Sequence, residues 1–154
     1  VTIARSITKA ATIEECDTIR VLVEAHIDYE QSNVILPTDW AARIVRFIGA
    51  GRMTVFVAHA GNVPVGYASI TMDVATWKGE PFAHLDCLYV SDTHRGTGIG
   101  RQLLDTVAAD ASARGYGELQ WQTPAWNSRA VQFYERVGAS HELKERFTLL
   151  LPLA

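Results

Sequence analysis

The sequence predicts a mixed α/β fold, a central sheet with helices packed on it, and three observations carry that reading. The stretch from His84 to Leu104, HLDCLYVSDTHRGTGIGRQLL, reads as a strand, a tight turn, a glycine-rich loop and the start of a helix. Thr54 to His59 and Val63 to Met72 flank Ala60-Gly61-Asn62, which is a hairpin signal. Along the whole chain the hydrophobic periods follow the order β, α, α, β, β, β, α, β, α, β, β. At 154 residues, without repeats, low-complexity tracts or linkers, one domain over residues 1–154 is expected.

Each element has its own justification. Val1 to Lys9 alternates weakly and is predicted to be an edge or near-edge strand. Thr12-Ile13-Glu14-Glu15 has capping-box spacing, and Ile19, Leu22, Val23, Ala25 and Ile27 carry a helix to about Tyr29. Glu30 to Pro37 connects it to a second helix that opens at Thr38 or Asp39, carries Trp40, Ile44, Val45, Phe47 and Ile48, and ends at Gly49 and Gly51. After the hairpin, Asp73 to Pro81 reads as a loop containing Trp77. Leu85 to Val90 is a short apolar run suited to a buried strand, and Ser91-Asp92-Thr93 is turn chemistry. Leu103, Leu104, Val107 and Ala108 repeat with helical spacing, and Gly115 and Gly117 close that helix. Leu119 to Thr123 is a strand broken at Pro124, followed by a helix from about Asn127 to Val137. Arg146 to Leu151 is a last apolar strand, with Ser140 to Leu143 pairing nearby.

Composition removes several function classes. Hydrophobic residues make up 48% and charged residues 20% of the chain, as in an ordinary water-soluble protein. No apolar run approaches the ~18 residues needed to span a bilayer. No basic-then-apolar leader is visible at the N-terminus. A net charge of −3 supplies no general basic field for nucleic acid. Cys16 and Cys87 lack metal-type spacing and fit a reducing compartment, so a cytoplasmic protein is expected. The charges are unevenly spread. From Ala11 to Asp39, Glu14, Glu15, Asp17, Glu24, Asp28, Glu30 and Asp39 are opposed only by Arg20, whereas the stretch from Asp92 through Arg136 contains five arginines. An acidic front and an arginine-supported loop suit an amine substrate meeting an anionic cofactor. For Glu14, Glu15 and Asp17 the first turn of a helix is explanation enough.

The glycine loop, Arg95-Gly96-Thr97-Gly98-Ile99-Gly100-Arg101, sets three glycines at alternate positions at a helix N-terminus. Missing side chains leave room for a ligand, and successive backbone N–H groups form a positive concavity suited to phosphate oxygens. Residues 95 to 101 are therefore expected to hold a diphosphate. The plain alternative is a loop whose glycines only permit a sharp strand-to-helix turn. Gly100 is followed by Arg101-Gln102, so the lysine and hydroxyl of a Walker A loop are absent, and G-x-G-x-G differs from the dinucleotide G-x-G-x-x-G despite Glu118 downstream.

A second constellation runs Asn127-Ser128-Arg129-Ala130-Val131-Gln132-Phe133-Tyr134-Glu135-Arg136-Val137-Gly138-Ala139. R-x-x-G-x-G after L-x-V, followed by N-x-x-A-x-x-F-Y-x-x-x-G-A, resembles the GNAT superfamily of acyl-coenzyme A N-acyltransferases over nearly the whole chain. Within it, Val34-Ile35-Leu36, Leu85-Asp86 and Trp126-Asn127 through Ser140 look most like the diamine (spermidine/spermine-type) acetyltransferases. The resemblance implies a mixed, mostly antiparallel sheet with splayed central strands and about four flanking helices. It also implies acetyl-coenzyme A as cofactor, with no metal.

In that fold, as the resemblance implies, the pantetheine arm enters the gap between the splayed strands and pairs with exposed backbone. Here that backbone belongs to Leu88 and Val90, with an N–H around Leu88 or Tyr89 facing the thioester oxygen. Asn127 either reaches the arm, caps the last helix, or does both. Tyr134 lies two helical turns beyond Asn127 on the same face and, following the family, is the general acid for the departing thiolate. Period-two geometry assigns His84, Asp86, Leu88 and Val90 to one face of the strand and Leu85, Cys87 and Tyr89 to the other. Asp86 is the candidate base, directly or through water and His84, where the diamine enzymes carry the longer Glu. Its alternative is to anchor a loop or pair with an arginine.

Asp28, Tyr29, Glu30, Asp39 and Trp40 fall in the region that walls the acceptor side in this family, and Asp73 and Trp77 come from the opposite loop. Acids with aromatics suit a polyamine, a diamino acid or an aminoglycoside, with protein N-termini or lysines as another acceptor class. A homodimer is expected from the uncovered edge strands and the apolar C-terminus, Phe147 to Leu153. Two other classes stay open, a non-catalytic acyl-coenzyme A sensor and a nucleotide-binding module. His84, Asp86 and His94 lack a second ligand cluster for a metal, Cys87 lacks a nucleophile's context, and no G-x-S-x-G elbow exists.

Overall fold

The computed structural model describes residues 5–153 of the chain, which divides into two compact units, Val1–Gln122 and Thr123–Ala154. The first unit holds a five-stranded sheet in the order β1 (Arg5–Lys9), β2 (Met53–Ala60), β3 (Val63–Ala75), β4 (Glu80–Val90), β5 (Leu119–Gln120). Every neighbouring pair is antiparallel except β4 and β5, which are parallel. A parallel pair needs a crossover, and α4 (Ile99–Ala113) supplies it. Three further helices precede the sheet's centre, α1 (Ile13–Thr18), α2 (Arg20–Tyr29) and α3 (Trp40–Gly49). The first four residues of the expected edge strand lie outside the described residues.

The capping box at Thr12 forms: its hydroxyl accepts the Glu15 N–H at 3.1 Å, and the Glu15 carboxylate accepts the Thr12 N–H at 3.0 Å. The N–H groups of Ala11 and Thr12, both donating to the Glu15 carboxylate, hold that carboxyl below its ordinary range. The single helix predicted to Tyr29 is instead two, broken at Ile19. Thr18 Oγ1 donates to the Glu15 carbonyl at 2.7 Å, and Ile19 N–H reaches only three residues back, to Cys16. A hydroxyl that bonds back onto the helix tightens and bends it. Asp39 opens α3 without capping it, because its carboxylate is taken by Arg43 at 2.8 Å, which also lowers its pKa. Asp73 to Pro81, expected as a loop, is strand on both sides. The β3–β4 ladder continues through Asp73–Phe82, Val74–Pro81 and Ala75–Glu80, and Gly79 turns it at φ +65°.

The sheet has two differently covered faces. Val55, Val57, Tyr67 and Tyr89 pack with Cys16, Ile19, Leu22, Val23 and Ala41 of α1 to α3. On the other face lies α4, with Leu103 and Val107 fully buried. Gly66 marks that face, because a Cβ there would meet Leu103 Cδ1 at 3.3 Å. The second unit contains α5 (Ser128–Arg136). Asn127 caps it by accepting the Ala130 N–H at 3.2 Å, and Gly138 ends it at φ +89°. The strands expected over Ser140–Leu143 and Arg146–Leu151 are absent among the described residues, where Leu143, Phe147, Leu149, Leu150 and Leu151 are exposed. Apolar β-prone sequence records a propensity, and a strand also needs an edge to pair with.

Candidate active site

Beyond Val90 the chain makes one 3-10 turn, Asp92–His94, and enters the glycine loop. Gly96 and Gly98 adopt φ +74° and +89°, and none of the described residues lies within 4 Å of where a Cβ would sit on either. These glycines thus serve backbone conformation and open access, not close packing. Gly98 is the N-cap of α4, and no side chain caps that helix. The first intrahelical bond there is Gln102 N–H to Gly98 carbonyl at 3.0 Å, so the N–H groups of Ile99, Gly100 and Arg101 have no intrahelical acceptor. Thr97 Oγ1 turns back onto the His94 carbonyl at 2.6 Å, and Arg5 donates to the Thr97 carbonyl. The result is an open, positively polarised cradle whose shape is braced from behind. It fits the two phosphates of coenzyme A by the chemistry of its donors.

The strand leading to this cradle is irregular where it matters. In the β3–β4 ladder Ser69 pairs with Cys87 but Ile70 pairs with Leu85, which leaves Asp86 as an extra residue. A bulge re-aims side chains and bends the strand. It also overturns the period-two assignment. Gly66, Ala68 and Ile70 share the α4 face, so their partners Val90, Leu88 and Leu85 do too, and Leu85 replaces Asp86 in that set. Asp86 is left with its side chain 55% exposed, 3.9 Å from His84 Nε2. The two candidate relay residues are therefore adjacent. On its other edge β4 pairs with β5 only at Ala83 and His84, although it runs on to Val90. From Leu85 to Val90, including Leu88 and Tyr89, that edge carries no β5 partner, as expected of splayed strands.

Under the bulge lies a polar cluster that sequence reasoning missed. His26 of α2 has Nδ1 2.7 Å from the Tyr67 hydroxyl and Nε2 3.3 Å from Glu30. Glu30 can only accept, so His26 carries its proton on Nε2 and accepts from Tyr67. The His26 ring stacks on Tyr89, centroids 5.0 Å apart. Burial pushes the His26 pKa down against the pull of Glu30 and Asp86, with Arg95 assisting. Burial likewise raises Tyr67 and Tyr89, and pushes the Cys87 thiol up to about 11 with Asp86 adding to the effect. A thiol held so far from thiolate is no nucleophile at neutral pH. The i, i+4 spacing of His26 and Glu30 was legible in the sequence, but nothing there marked Tyr67 as the third member.

This cluster carries a pH prediction. Between the depressed His26 pKa and its unfolded value of about 6.5, the unfolded chain binds a proton that the folded chain refuses, so stability rises with pH. Urea unfolding is expected to show stability falling as pH drops below about 6.5, and falling less steeply in His26→Gln. Carboxylates with lowered pKa, such as Glu118 bonded by Lys78 and Gln120, act only below about 4.5. Equal slopes for wild type and variant would assign the effect elsewhere.

The remaining candidates are dispersed. Tyr29 stands beside Tyr89, centroids 6.4 Å apart, and Asp28 and Glu30 are exposed at the end of the same helix. Trp40 is half-buried under the Arg20 guanidinium. Asp73 and Trp77 do not join them. Asp73 lies six residues along β3 from Tyr67, roughly 20 Å at strand rise. Trp77 stands wholly exposed at the hairpin tip. His94 is occupied by the Ser91 and Thr93 hydroxyls at 3.0 and 2.9 Å. In the second unit, Asn127 is buried as the α5 cap, and Tyr134 packs edge-on against Phe133 at 5.2 Å.

Comparison with known proteins agrees with this architecture. The model of the acetyltransferase (GNAT) family matches residues 19–139. The thialysine N-epsilon-acetyltransferase of Bos taurus is 35% identical over 79 residues, covering 51% of this chain and 46% of the relative. Its Caenorhabditis elegans counterpart is 30% identical over 82 residues, covering 53% and 51%. The chain thus spans about half the length of the curated relatives it matches. Among solved structures, an aminoglycoside acetyltransferase from an uncultured soil metagenomic sample, in complex with sisomicin, has a TM-score of 0.83 at 20% identity. That match covers 96% of this chain and 97% of that one, and it shows the shared fold. With the family match running through the cradle, the bulged strand and α5, the chain belongs to the acetyltransferase (GNAT) family.

Proposed function

We propose that this protein is an N-acetyltransferase that moves an acetyl group from acetyl-coenzyme A to a primary amine of a small molecule, directly in a ternary complex. The observation that carries the reading is the uncapped glycine cradle at α4, continuous with the unpaired edge of β4. The cradle's N–H groups would hold the diphosphate, with Arg101 at its mouth, and the backbone of Leu88 and Val90 would pair with the amide-bearing arm. Acetyl-coenzyme A supplies the thioester acyl group. Asp86, alone or through His84 and water, takes the ammonium proton, since an ammonium has no lone pair. As the N–C bond forms and the C–S bond breaks, Tyr134 gives its proton to the sulfur, and the second amine proton replaces it. Asn127 would contact the arm while capping α5. The family match crosses both compact units, which supports one functional domain over the chain.

For the acceptor, the exposed carboxylate of Glu30, which acts on His26 together with Asp86, and exposed Asp28 two residues before it favour a substrate with a second cationic group. The relatives' names point the same way: thialysine and aminoglycosides both fit a polyamine, diamino acid or aminoglycoside class. A thiol-release assay with acetyl-coenzyme A against polyamines, diamino acids, aminoglycosides and peptides tests the reading. Release with none of them, or with peptides alone, would refute it. With the best amine, Asp86→Asn is expected to lower the neutral-pH rate about 100-fold and to change the dependence of rate on pH. An unchanged pH profile would remove Asp86 as base. The exposed apolar residues of the C-terminal segment support a homodimer, and a monomer in sedimentation equilibrium would exclude it. Two free cysteines support a cytoplasmic setting, and no helix among the described residues is long and apolar enough to cross a membrane.

A further inference from the structure

We propose that Arg95 is a positioning residue and not a phosphate ligand: its guanidinium clamps the diphosphate loop to helix α2, so that the loop's hold on coenzyme A depends on Tyr29. Arginine at the mouth of an anion cradle is ordinarily read as a phosphate contact. Here two of its three nitrogens, Nε and Nη1, are engaged elsewhere. Arg95 Nε donates to the Val90 carbonyl at 3.0 Å and Nη1 to Asp92 at 2.5 Å, gripping the last residue of β4 and the first of the 3-10 turn. The flat of the guanidinium lies over two rings, 4.4 Å from the Tyr29 centroid and 5.2 Å from that of Tyr89. The side chain is only 19% exposed. Reaching a phosphate would break two hydrogen bonds and uncover two aromatic faces. Arg101 is the contrast. It is 55% exposed, pairs among the described residues only with exposed Asp105 one turn on, and is released cheaply toward an anion.

The clamp has a consequence for binding. Gly96, directly after Arg95, is in the left-handed region, and open space surrounds the loop's glycines, so packing does not fix the cradle from above. It is braced from behind by Thr97 and Arg5, and held at its entry by Arg95. A main-chain cradle binds tightly only when its N–H groups are already aimed, because ordering them on binding subtracts from affinity. Tyr29 closes one side of the guanidinium, while His26 stacks on Tyr89 and seats the same helix on β4. Helix α2 also carries Asp28 and is closed by Glu30 as its C-cap, so the acceptor side and the cofactor loop share one brace.

The inference rests on the coenzyme A reading, and calorimetric titration of the full chain with coenzyme A separates the two. Tyr29→Leu is expected to weaken binding about fivefold, whereas Tyr29→Phe, which keeps the aromatic face, stays within about twofold of wild type. Arg95→Lys keeps the charge but not the planar fork, and is expected to weaken binding at least as much as Tyr29→Leu. The double variant Tyr29→Leu/Arg95→Lys should bind within about twofold of Arg95→Lys alone, because one clamp is lost only once. Thermal unfolding checks that each variant is folded; should Arg95→Lys not fold, the Leu and Phe variants at position 29 decide alone. Losses that multiply, a harmless Tyr29→Leu, or full affinity in Arg95→Lys would overturn the clamp. Absence of binding by the wild type would overturn the coenzyme A reading and the clamp with it.

Discussion

Tyr134→Phe is expected to lower turnover about 100-fold, the low end of what a positioned general acid contributes. Coenzyme A affinity should stay within about twofold, because the phenol's proton is used in the transition state and not in ground-state binding. The substitution keeps the ring and removes one O–H. The edge-on contact with Phe133 at 5.2 Å is made by the ring and survives, and so does the α5 backbone, which Asn127 caps and Gly138 closes. Loss of rate would then report chemistry and not a disordered helix.

The competing route is unassisted departure of the thiolate. A thiol's ordinary pKa is about 8.5 and a phenol's about 10, so a proton passed to a free thiolate climbs by roughly 1.5 units. An acid of that strength helps only if it acts while the C–S bond is breaking, when the sulfur is gaining charge within reach of a fixed donor. Single-turnover measurements with the best amine read that step directly. Turnover within about threefold of wild type would show that the thiolate leaves alone and would retire Tyr134 as the acid. A loss confined to KM would make it a binding residue instead.

Local chemistry was legible in the sequence, and features made by pairing were not. Gly96 and Gly98, the α4 stripe of Leu103, Leu104 and Val107, the Thr12 capping box and the Gly61 turn each depend on a few consecutive residues. All of them appear where expected. The Asp86 bulge depends on the register of β3 against β4, which strict alternation cannot contain, so the side-chain faces of β4 were assigned one residue out past Leu85. Arg95 illustrates a second kind of loss. Its neighbours in sequence are glycines and a turn, but Tyr29, whose ring its guanidinium covers, is far along the chain, so nothing local marked that contact. Ile19 failed for a third reason: apolar spacing continued through it, while Thr18's hydroxyl, a single local hydrogen bond, bent the helix. The β3–β4 hairpin hid behind turn-rich composition, because Pro81 and Gly79 read as loop while sitting at or beside strand ends.

Gly66 is the position where the largest loss of stability is expected. A glycine inside a strand pattern signals close approach of another backbone, and here the approach comes from both sides. A Cβ on Gly66 would fall 2.9 Å from the Tyr89 carbonyl oxygen and 3.3 Å from both Leu103 Cδ1 and Val90 Cγ2. The first neighbour is backbone, fixed by the ladder in which Gly66 faces Val90, so it cannot swing aside. Leu103 is fully buried in α4 and has no empty space to enter. Gly66→Ala is therefore expected to cost about 3 kcal/mol in urea unfolding, and Gly66→Val more, against total stabilities of about 5–15 kcal/mol for such domains. The damage also has a direction. Relief requires Tyr89–Val90 or the first turns of α4 to move outward, and these flank the proposed cradle. At temperatures where Gly66→Ala stays folded, coenzyme A affinity should fall with stability, whereas a surface change such as Val21→Ala should leave both unaltered. A Gly66→Ala protein within about 0.5 kcal/mol of wild type would show that the sheet and α4 have slack that this packing denies.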